Sequence, residues 1–385
     1  MTPHCLVDLI VGTRPNMVKL ASLHAALHAS TWCRPRVVFI RQHDMPVLGS
    51  RMLDEFSIDD QQIHEVALPE GDHGRRLGAM VSGYAALIDE TPPDLVLVFG
   101  DVDTTLAAAM AAKRARLPLA HIEAGLRSHD RSMPEELNRR MVDAISDLHF
   151  ATCSDAVDNL RAEGHCGASV HLVGNPMIDT LARHIDRDAG IALCQRHGLG
   201  PGGFAIATFH RPSNVDTPVA LARLAGVLED CATRLPVWLP LHPRTLHALR
   251  KHGMQARFES IEGLRIAEPH GYLDFIALMS QSRLVLTDSG GLQEEASWLG
   301  IPCLTLRPNT ERPVTITLGT NQLVDDSSLV TVMDDVLAAP MPGPAHIPLW
   351  DGHAGERIAT VLHTWWTDPA RADTQRSRIA AKPPA

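Results

Sequence analysis

Short runs of apolar residues recur along the chain, and most of them end in Gly, Asp, His or Ser. The runs cover residues 5–12, 35–41, 94–101, 117–124, 148–155, 170–175, 204–210, 237–243, 264–269, 284–291 and 302–307. Continuous apolar runs of this length are typical of strands buried on both faces, as in parallel sheets. The stretches between them predict helices over residues 103–114, 135–147, 155–163 with Ser154 as N-cap, 217–233 and 291–299. The alternation predicts an α/β protein with a doubly wound fold.

The pattern changes near residues 165–203, which we interpret as a boundary between two halves. We assign residues 1–168 to an N-terminal Rossmann-like domain that carries the candidate catalytic carboxylates, and residues 169–350 to a C-terminal Rossmann-like domain. A last helix, predicted over residues 354–366, is expected to pack back on the body of the protein. Residues 367–385 are polar and rich in Ala and Pro, so we expect a flexible tail.

Composition and charge are those of an ordinary globular protein. The chain has 385 residues, of which 45% are apolar and 21% charged, and this length suits two domains with buried cores. The formal net charge of −10 argues against general nucleic-acid binding and against a polybasic membrane contact. The seven cysteines are scattered, which indicates reduced thiols rather than a disulfide framework or a zinc site. We recognise no signal peptide and no apolar run of the roughly 20 residues that span a membrane, so we expect a cytoplasmic protein.

Residues with chemically useful side chains lie where the predicted strands end. In open α/β sheets, ligands bind beyond the carboxyl ends of the strands. The residues at such ends are Gly12–Lys19, Asp101, Glu123, His210, His242 and Ser289–Gly291. Two sheets that face each other across a cleft would bring both sets together, so we expect the functional site there.

The loop after the first strand, GTRPNMVK, has the composition of an anion site. Gly12 permits a tight turn, Arg14 and Lys19 supply positive charge, and the next helix offers free N–H groups. A solvated turn with surface cations is the alternative. Asp101 ends a later strand in the segment FGDVDTT and is a candidate for proton transfer. The polar residues of that turn are equally consistent with capping of the following helix.

The segment HIEAGLRSHDRSMPEELNRR, residues 121–140, combines acids and cations at high density. Glu123 lies at a strand end, Pro134 begins a helix, and Glu135 and Glu136 fill its first turn. Carboxylates beside arginines indicate proton transfer near a bound anion. Acidic residues in a first helical turn also compensate the helix dipole. The residues alone favour that second role for Glu136, and catalysis for Glu123.

The second half of the chain has two comparable strand ends. His210, in ATFHRPSN, suits proton transfer near neutral pH or diphosphate binding, although a histidine at a strand end is more often structural. The segment TDSGGLQEE predicts a strand, a Gly turn and a helix. The N–H groups of Ser289, Gly290 and Gly291 would cradle a diphosphate, and Glu295 lies one turn further, suitably placed for ribose hydroxyls. A plain helix N-cap also explains Ser289.

Taken together, these segments resemble the non-hydrolysing UDP-N-acetylglucosamine 2-epimerases. The matching segments run in order from about residue 10 to residue 324: GTRPNMVKL, RQH, GDVDTT, HIEAGLRSHDRSMPEELNRR, GNPMIDTL, TFHRPSN, LHPR, EPHGYLDF, LTDSGGLQEEASWLGIPCLTLRPNTERP and GTNQLV. The resemblance implies a GT-B architecture, with two Rossmann-like domains facing across a cleft that holds the UDP-sugar and a C-terminal helix that returns to the first domain. It implies a homodimer that needs no metal or other cofactor.

The activity implied is reversible epimerisation at C2 of UDP-GlcNAc to UDP-ManNAc, through elimination of UDP to 2-acetamidoglucal and re-addition, in the synthesis of surface polysaccharide precursors. The resemblance assigns catalysis to Asp101, Glu123, Glu135 and His210. It assigns substrate binding, with UDP in the second domain, to Arg14, Lys19, His270, Phe275, Ser289, Gly290, Gly291, Glu295 and Arg312. In some members a second UDP-GlcNAc binds as an allosteric activator, and its contacts would match Gln42, His43, Glu136, Arg211 and His242.

The sequence departs from the family pattern at several positions. Asn16 stands where Glu is usual, IRQHDM replaces TGQHYD, HRPSN replaces HRREN, and His270 stands where the uracil contact is often Gln. The form MPEE also occurs in relatives that act on UDP-2,3-diacetamido-2,3-dideoxy-glucuronate, which leaves the sugar open. A hydrolysing epimerase, a GT-B glycosyltransferase and an inactive UDP-sugar sensor are the other functions compatible with these motifs.

Overall fold

The computed structural model describes residues 5–40, 55–56, 58, 63–66, 72–165 and 167–369. Within these residues, strands and helices alternate and the strands form two parallel sheets. Every apolar run that predicted a strand contains one, so the predicted α/β alternation is confirmed.

The first sheet has the order β3-β2-β1-β4-β5-β6-β7 within the described residues. Its strands are β1 (Cys5–Val11), β2 (Cys33–Ile40), β3 (Ile63–Val66), β4 (Leu95–Phe99), β5 (Leu119–Ile122), β6 (Leu148–Ala151) and β7 (Val170–Leu172). The helices in this part of the chain are α1 (Arg14–His28), α2 (His73–Glu90), α3 (Asp103–Arg114), α4 (Pro134–Ile145), α5 (Ser154–Ala162) and α6 (Pro176–His184). The strand order reverses between β1 and β4, where ligands bind in doubly wound sheets.

The second sheet has the order β10-β9-β8-β11-β12-β13. Its strands are β8 (Ala205–Thr208), β9 (Val237–Pro240), β10 (Leu264–Ala267), β11 (Leu284–Thr287), β12 (Cys303–Leu306) and β13 (Asn321–Val324). The helices of the remaining chain are α7 (Arg187–Arg196), α8 (Pro212–Val215), α9 (Pro218–Ala232), α10 (Pro243–Lys251), α11 (Gln255–Glu259), α12 (Tyr272–Met279), α13 (Gly290–Leu299), α14 (Val314–Thr317), α15 (Leu329–Ala338) and α16 (Ala354–Thr367). Here the order reverses between β8 and β11, the strands that precede His210 and Ser289.

Two strands, β3 and β13, were not predicted from the apolar runs. Both lie at the edge of a sheet, and each has side chains exposed to solvent. An edge strand needs fewer apolar residues than a central one, because one of its sides has no neighbouring strand to cover it. The sequences IHEV and NQLV therefore lack the continuous apolar character that marks the other strands.

Four predicted helix starts differ by one residue from those observed, which are Pro134, Ser154, Pro218 and Gly290, and the N-cap predicted at Ser154 is wrong. Ser154 is the first residue of α5, and Cys153 takes the N-cap position with the extended backbone (φ −152°, ψ 169°) that a cap requires. Helix α9 begins with a capping residue and a proline. The Thr217 side chain accepts a hydrogen bond from the N–H of Ala220, and Pro218 follows as the first helical residue.

The chain divides into two compact units. The first comprises the described residues of Met1–Leu126, Asp130–Thr180 and Leu349–Ala385, and the second comprises Arg127–His129 and Leu181–Pro348. The division after Thr180 differs from the boundary predicted after residue 168. The reason is that β7 pairs with β6, and that the Thr180 hydroxyl donates to the carbonyl of Val18 at 2.7 Å, which ties the start of α6 to α1. Residues 370–385 of the predicted tail lie outside the described residues.

Each unit has its own apolar core. In the first, side chains of β1, β2 and β4 pack against α2 and α3, and in the second, side chains of β8, β9, β11 and β12 pack against α9 and α15. Each large aliphatic side chain buried in this way contributes about 1.5–3 kcal/mol. Among the described residues, none of the helices combines the length and the apolar character that crossing a membrane requires.

Helix α16 belongs to the first unit and packs against α1. The Asp179 carboxylate accepts a hydrogen bond from the backbone N–H of Gly355 at 2.7 Å, and the Trp350 indole N–H donates to the carbonyl of Thr152 at 2.9 Å. Helix α16 is thereby fastened to elements formed by the first half of the sequence.

Candidate functional site

Three candidate carboxylates of the first unit lie on neighbouring elements. Asp101 and Glu123 follow the paired strands β4 and β5, so both lie at the carboxyl edge of the first sheet. Glu135 lies in the first turn of α4, which contacts α3 and β5. Pro134 begins this helix with a backbone angle suited to a first turn and places Glu135 directly after it.

Glu123 has a strained backbone and a buried cation as its partner. Its φ angle is +71°, a left-handed conformation that is uncommon for a residue other than glycine. Its backbone N–H donates to the carbonyl of Phe150 at 3.0 Å, which holds it there. Its carboxylate is paired with the ammonium group of Lys19 from α1, and both side chains are buried. Backbone strain of this kind is concentrated at functional sites.

Asp101 is held by two successive residues of α4. The guanidinium group of Arg139, which is only 2% exposed, pairs with the Asp101 carboxylate on one side. The same guanidinium group also donates hydrogen bonds to the Glu136 carboxylate, from Nη2 at 2.8 Å and from Nε at 3.1 Å. The side-chain amide of Asn138 donates to the backbone carbonyl of Asp101 at 2.8 Å. Helix α4 therefore carries Glu135 and also fixes the loop of Asp101.

His121 and Asp143 connect the loops after β4 and β5. The buried His121 ring lies 2.6 Å from Asp143 through Nδ1 and 2.8 Å from the carbonyl of Gly100 through Nε2. Asp143 also accepts a hydrogen bond from the N–H of Gly125 at 3.1 Å. Sequence reasoning missed Arg139, His121 and Asp143 as parts of the site. A signal was present, because a polar residue within a buried strand or on the inner face of a helix needs a specific partner.

The remaining candidates of the first unit have simpler surroundings. Glu135 is half-buried and forms no hydrogen bond or ion pair with the described residues. Arg14 is the first residue of α1 and is also half-buried. Gly12 lies just before it, between β1 and α1, where a methyl group would lie 2.7 Å from the Cβ of Thr104. The loop thus requires glycine because of the close approach of α3.

In the second unit, His210 is bound to the buried carboxylate of Asp288. The Nδ1 atom of His210 lies 3.2 Å from Asp288, which also accepts hydrogen bonds from the backbone N–H of Arg211 and the side-chain amide of Asn214, both at 2.9 Å. Burial raises the pKa of Asp288, but the hydrogen bonds and charge of His210 and the other donors outweigh it, so the pKa lies below the ordinary 3.8. The ionised carboxylate contributes stability above about pH 4, and this stability is lost as the pH falls through the lowered pKa.

The amino terminus of α13 has the features of an anion site. Ser289 occupies the N-cap position, yet its side chain forms no capping hydrogen bond, and Gly290 and Gly291 follow as the first helical residues. Arg312 is buried close to Gly290, where its Nε lies 3.1 Å from Glu294 and its Nη1 is paired with Glu311. Free N–H groups at a helix start, with a guanidinium group beside them, favour a bound phosphate.

Further along α13, Glu295 is buried and accepts a hydrogen bond from the Tyr272 hydroxyl at 2.9 Å. His270 precedes α12, and its Nδ1 lies 2.8 Å from the carbonyl of Glu268. The His270 ring also lies beside His197, with 3.5 Å between the two Nε2 atoms. Phe275 is half-buried in α12.

The residues matched to an allosteric contact are dispersed over both units. Gln42 and His43 lie outside the described residues. Glu136 lies in the first unit and is fully buried against Arg139. Arg211 and His242 lie in the second unit, where the ring of His242 is 4.9 Å from that of His210.

Known proteins match nearly the whole chain. A family model described as UDP-N-acetylglucosamine 2-epimerase matches residues 25–363. The UDP-N-acetylglucosamine 2-epimerase of Methanocaldococcus jannaschii is 32% identical over 366 residues, which cover 92% of this chain and 98% of the relative. The UDP-2,3-diacetamido-2,3-dideoxy-D-glucuronate 2-epimerase of Pseudomonas aeruginosa is 36% identical over 321 residues, which cover 82% of this chain and 87% of the relative.

The fold is similar to that of solved UDP-GlcNAc 2-epimerase structures. The crystal structure of Methanocaldococcus jannaschii UDP-GlcNAc 2-epimerase in complex with UDP-GlcNAc and UDP has a TM-score of 0.86 and 32% sequence identity. The likeness covers 93% of this chain and 99% of that structure. The predicted α/β fold class, with GT-B architecture, is confirmed.

Proposed function

Because the chain belongs to the UDP-N-acetylglucosamine 2-epimerase family of isomerases, we propose that it catalyses the reversible conversion of UDP-GlcNAc to UDP-ManNAc. The observation that carries this proposal is the group of carboxylates in the first unit. Asp101 and Glu123 lie at neighbouring strand ends, each paired with a buried cation, and Glu135 lies on the helix that fixes Asp101.

Inversion at C2 of a hexosamine requires removal of a hydrogen that no carbonyl group acidifies. Breaking the bond between C1 and the UDP oxygen at the same time overcomes this difficulty, because C1 gains oxocarbenium character and the C2 hydrogen becomes acidic. The proton passes to a protein carboxylate, the electrons of the C2–H bond form the C1=C2 double bond, and those of the C1–O bond leave with UDP, which gives 2-acetamidoglucal. Re-addition of UDP, with protonation of C2 on the opposite face, gives the epimer.

The carboxylates share the proton transfers in this proposal. Lys19 and Arg139 keep Glu123 and Asp101 oriented through their ion pairs. Glu135 is half-buried in the first turn of α4, so its carboxylate is accessible from solvent. The reaction requires acid and base groups near both faces of C2, which is consistent with more than one carboxylate.

The UDP group is assigned to loops that can bind anions. The N–H groups at the start of α13, with Arg312 and His210 nearby, would hold the diphosphate while it takes up negative charge. Arg14 and Lys19 would add positive charge from the first unit. In the same proposal Glu295 binds the ribose hydroxyls, and no metal or other cofactor takes part.

Isotope exchange tests the elimination route. When the protein is incubated with UDP-GlcNAc in deuterium oxide, we expect UDP-ManNAc that carries deuterium at C2. Proton NMR measures this label through the loss of the C2 hydrogen signal. Epimerised product with hydrogen retained at C2 would contradict the route. Release of free UDP and ManNAc would instead indicate a hydrolysing epimerase, and turnover only with an added acceptor would indicate a glycosyltransferase.

UDP-2,3-diacetamido-2,3-dideoxy-D-glucuronate is the alternative substrate to test for epimerisation. The Pseudomonas aeruginosa relative, named as a UDP-2,3-diacetamido-2,3-dideoxy-D-glucuronate 2-epimerase, has 36% identity to this chain, and this chain has the MPEE form of the motif. Comparison of kcat/KM for the two UDP-sugars identifies the substrate. A ratio that favours the glucuronate derivative would replace UDP-GlcNAc in the proposal and leave the elimination chemistry unchanged.

The wider setting of the reaction is also proposed. The protein would act in the cytoplasm as a homodimer and supply precursors of surface polysaccharides. A second UDP-GlcNAc would act as an activator, with Arg211 and His242 among its contacts. Light scattering and initial rates measured over a range of UDP-GlcNAc concentrations test these points, and a monomer with hyperbolic kinetics would contradict them.

A further inference from the structure

Asp288 binds both the backbone and the ring of His210. It follows β11, is fully buried, and receives the backbone N–H of His210 at 3.1 Å from each of its oxygens. The Nδ1 atom of the His210 ring lies 3.2 Å from the same carboxylate. Thr208 and Thr287, just before these two residues, bond through their hydroxyls at 2.8 Å and keep the two strand ends together.

The chemistry of these partners defines the protonation of the ring. An ionised carboxylate can only accept hydrogen bonds, so the nitrogen that faces it must carry the hydrogen. We infer that Asp288 is a positioning residue that keeps the hydrogen of the His210 ring on Nδ1, so that Nε2 is the nitrogen left to interact with the diphosphate of the substrate. The role of His210 in catalysis rests on the proposed function above.

The remaining groups around Asp288 support its ionised state. Arg211 donates its backbone N–H, and Asn214 its side-chain amide, to the same oxygen. These donors stabilise negative charge on Asp288, and the lowered pKa of Asp288 agrees with this. The ring of His242 lies 4.9 Å from His210 and belongs to the cap of α10, where its Nδ1 accepts the N–H of Arg244. Nδ1 of His242 therefore faces its own helix.

The consequence concerns the departing diphosphate. When the C1–O bond breaks, the diphosphate gains negative charge. A His210 ring that has taken up a second proton from solvent, on Nε2, can donate a hydrogen bond to that charge. A buried carboxylate behind the ring stabilises this imidazolium and holds its orientation, which is the role of the aspartate in serine-protease triads. In the return reaction the same Nε2–H group releases the diphosphate oxygen to attack C1.

Nitrogen NMR of the wild-type protein labelled with 15N-histidine tests the tautomer directly. Where the His210 ring is neutral, we expect its hydrogen on Nδ1, and the signals that disappear in His210→Gln identify the residue. Finding hydrogen on Nε2 in the neutral ring would overturn the inference. This measurement needs no substrate.

Substitutions of Asp288 and of its neighbour Asn214 distinguish a role of Asp288 in positioning His210 from a purely structural role. Asp288→Asn keeps the shape and removes the charge, and we expect kcat to fall by about 100-fold, which lies within the range of general acid–base effects, with a smaller change in KM. We also expect the pH–rate profile of Asp288→Asn to differ from that of the wild type, because a neutral asparagine side chain no longer holds the hydrogen on Nδ1 of His210. Asn214→Ala removes one hydrogen bond to Asp288 and leaves the carboxylate with the N–H groups of His210 and Arg211, so its pH–rate profile should change less than that of Asp288→Asn.

The possible results distinguish this inference from the proposed function. If Asp288→Asn retains the wild-type kcat and profile, or if both variants shift the profile equally, Asp288 does not position His210. If the asparagine variant does not fold, the tautomer in the wild type and in Asn214→Ala decides. If the wild type epimerises no UDP-sugar, the proposed function fails while the tautomer measurement still decides the inference.

Discussion

At the scale of single residues, two of the three candidate acids of the first unit are members of charge pairs. Glu123 has Lys19, and Asp101 has Arg139, whose other side is occupied by Glu136. A buried charge without a partner is costly, so each cation determines where its carboxylate can lie. Arg139 thereby acts as the central member of a row that runs from Asp101 to Glu136.

Arg139 and Arg140 offer a matched pair of substitutions. Arg139→Met leaves the buried Glu136 and the half-buried Asp101 without their shared cation, so we expect a loss of about 3–5 kcal/mol in unfolding free energy and a fall in kcat. Arg140 also pairs with Glu136, at 3.3 Å, but its side chain is one-third exposed, so Arg140→Met should cost about 0–1 kcal/mol. Urea unfolding and initial rates measure both. Equal effects of the two substitutions would contradict the assigned role of Arg139.

At the scale of elements, the first sheet and α3 approach each other closely because small residues lie between them. Helix α3 presents a run of buried alanines to the sheet, and Gly12 at the end of β1 faces Thr104 at the start of α3. The anion-binding loop therefore derives its shape from the packing of a helix that follows a different strand.

Two glycine substitutions test this packing in opposite directions. Gly12→Ala would place a methyl group 2.7 Å from the Cβ of Thr104, so α3 must shift, and we expect a loss of about 1–3 kcal/mol. Gly78→Ala, in the middle of α2, meets no atom within 4 Å and should raise the unfolding free energy by about 0.5–1 kcal/mol, because alanine has the higher helix propensity. Chemical denaturation measures both, and a stabilising Gly12→Ala would refute the packing argument.

At the scale of the whole molecule, the chain leaves the first unit, forms the second and then returns. Helix α16 buries Ile358 and Leu362 in the first unit, and Trp350 is bonded there before the helix begins. The first unit is therefore complete only when the last part of the sequence has been added.

A chain that ends at Pro348 tests the contribution of this return. We expect its first unit to lose hydrogen-exchange protection, because α1 loses the apolar contacts of α16 and Asp179 loses the N–H of Gly355. The core of α9 and α15 in the second unit should keep its protection. Mass spectrometry of exchanged peptides reads both units in one experiment. Full protection of α1 in the shortened chain would show that α16 adds nothing to the first unit.

The sequence by itself determined the fold class, the family and the strand ends at which the candidate residues lie. These follow from local patterns: a continuous apolar run predicts a buried strand, and the turn after it carries the polar residues. The strands β3 and β13 were not predicted, because a strand at the edge of a sheet does not need a continuous apolar run.

The tertiary structure alone decided which residues are partners. Lys19 and Glu123 are 104 residues apart, His210 and Asp288 are 78 apart, and Arg139 reaches Asp101 over 38. The return of α16 and the division after Thr180 are likewise contacts between distant segments. Local periodicity carries no information about such pairs, because they form only when the sheet brings separate strand ends to a common edge.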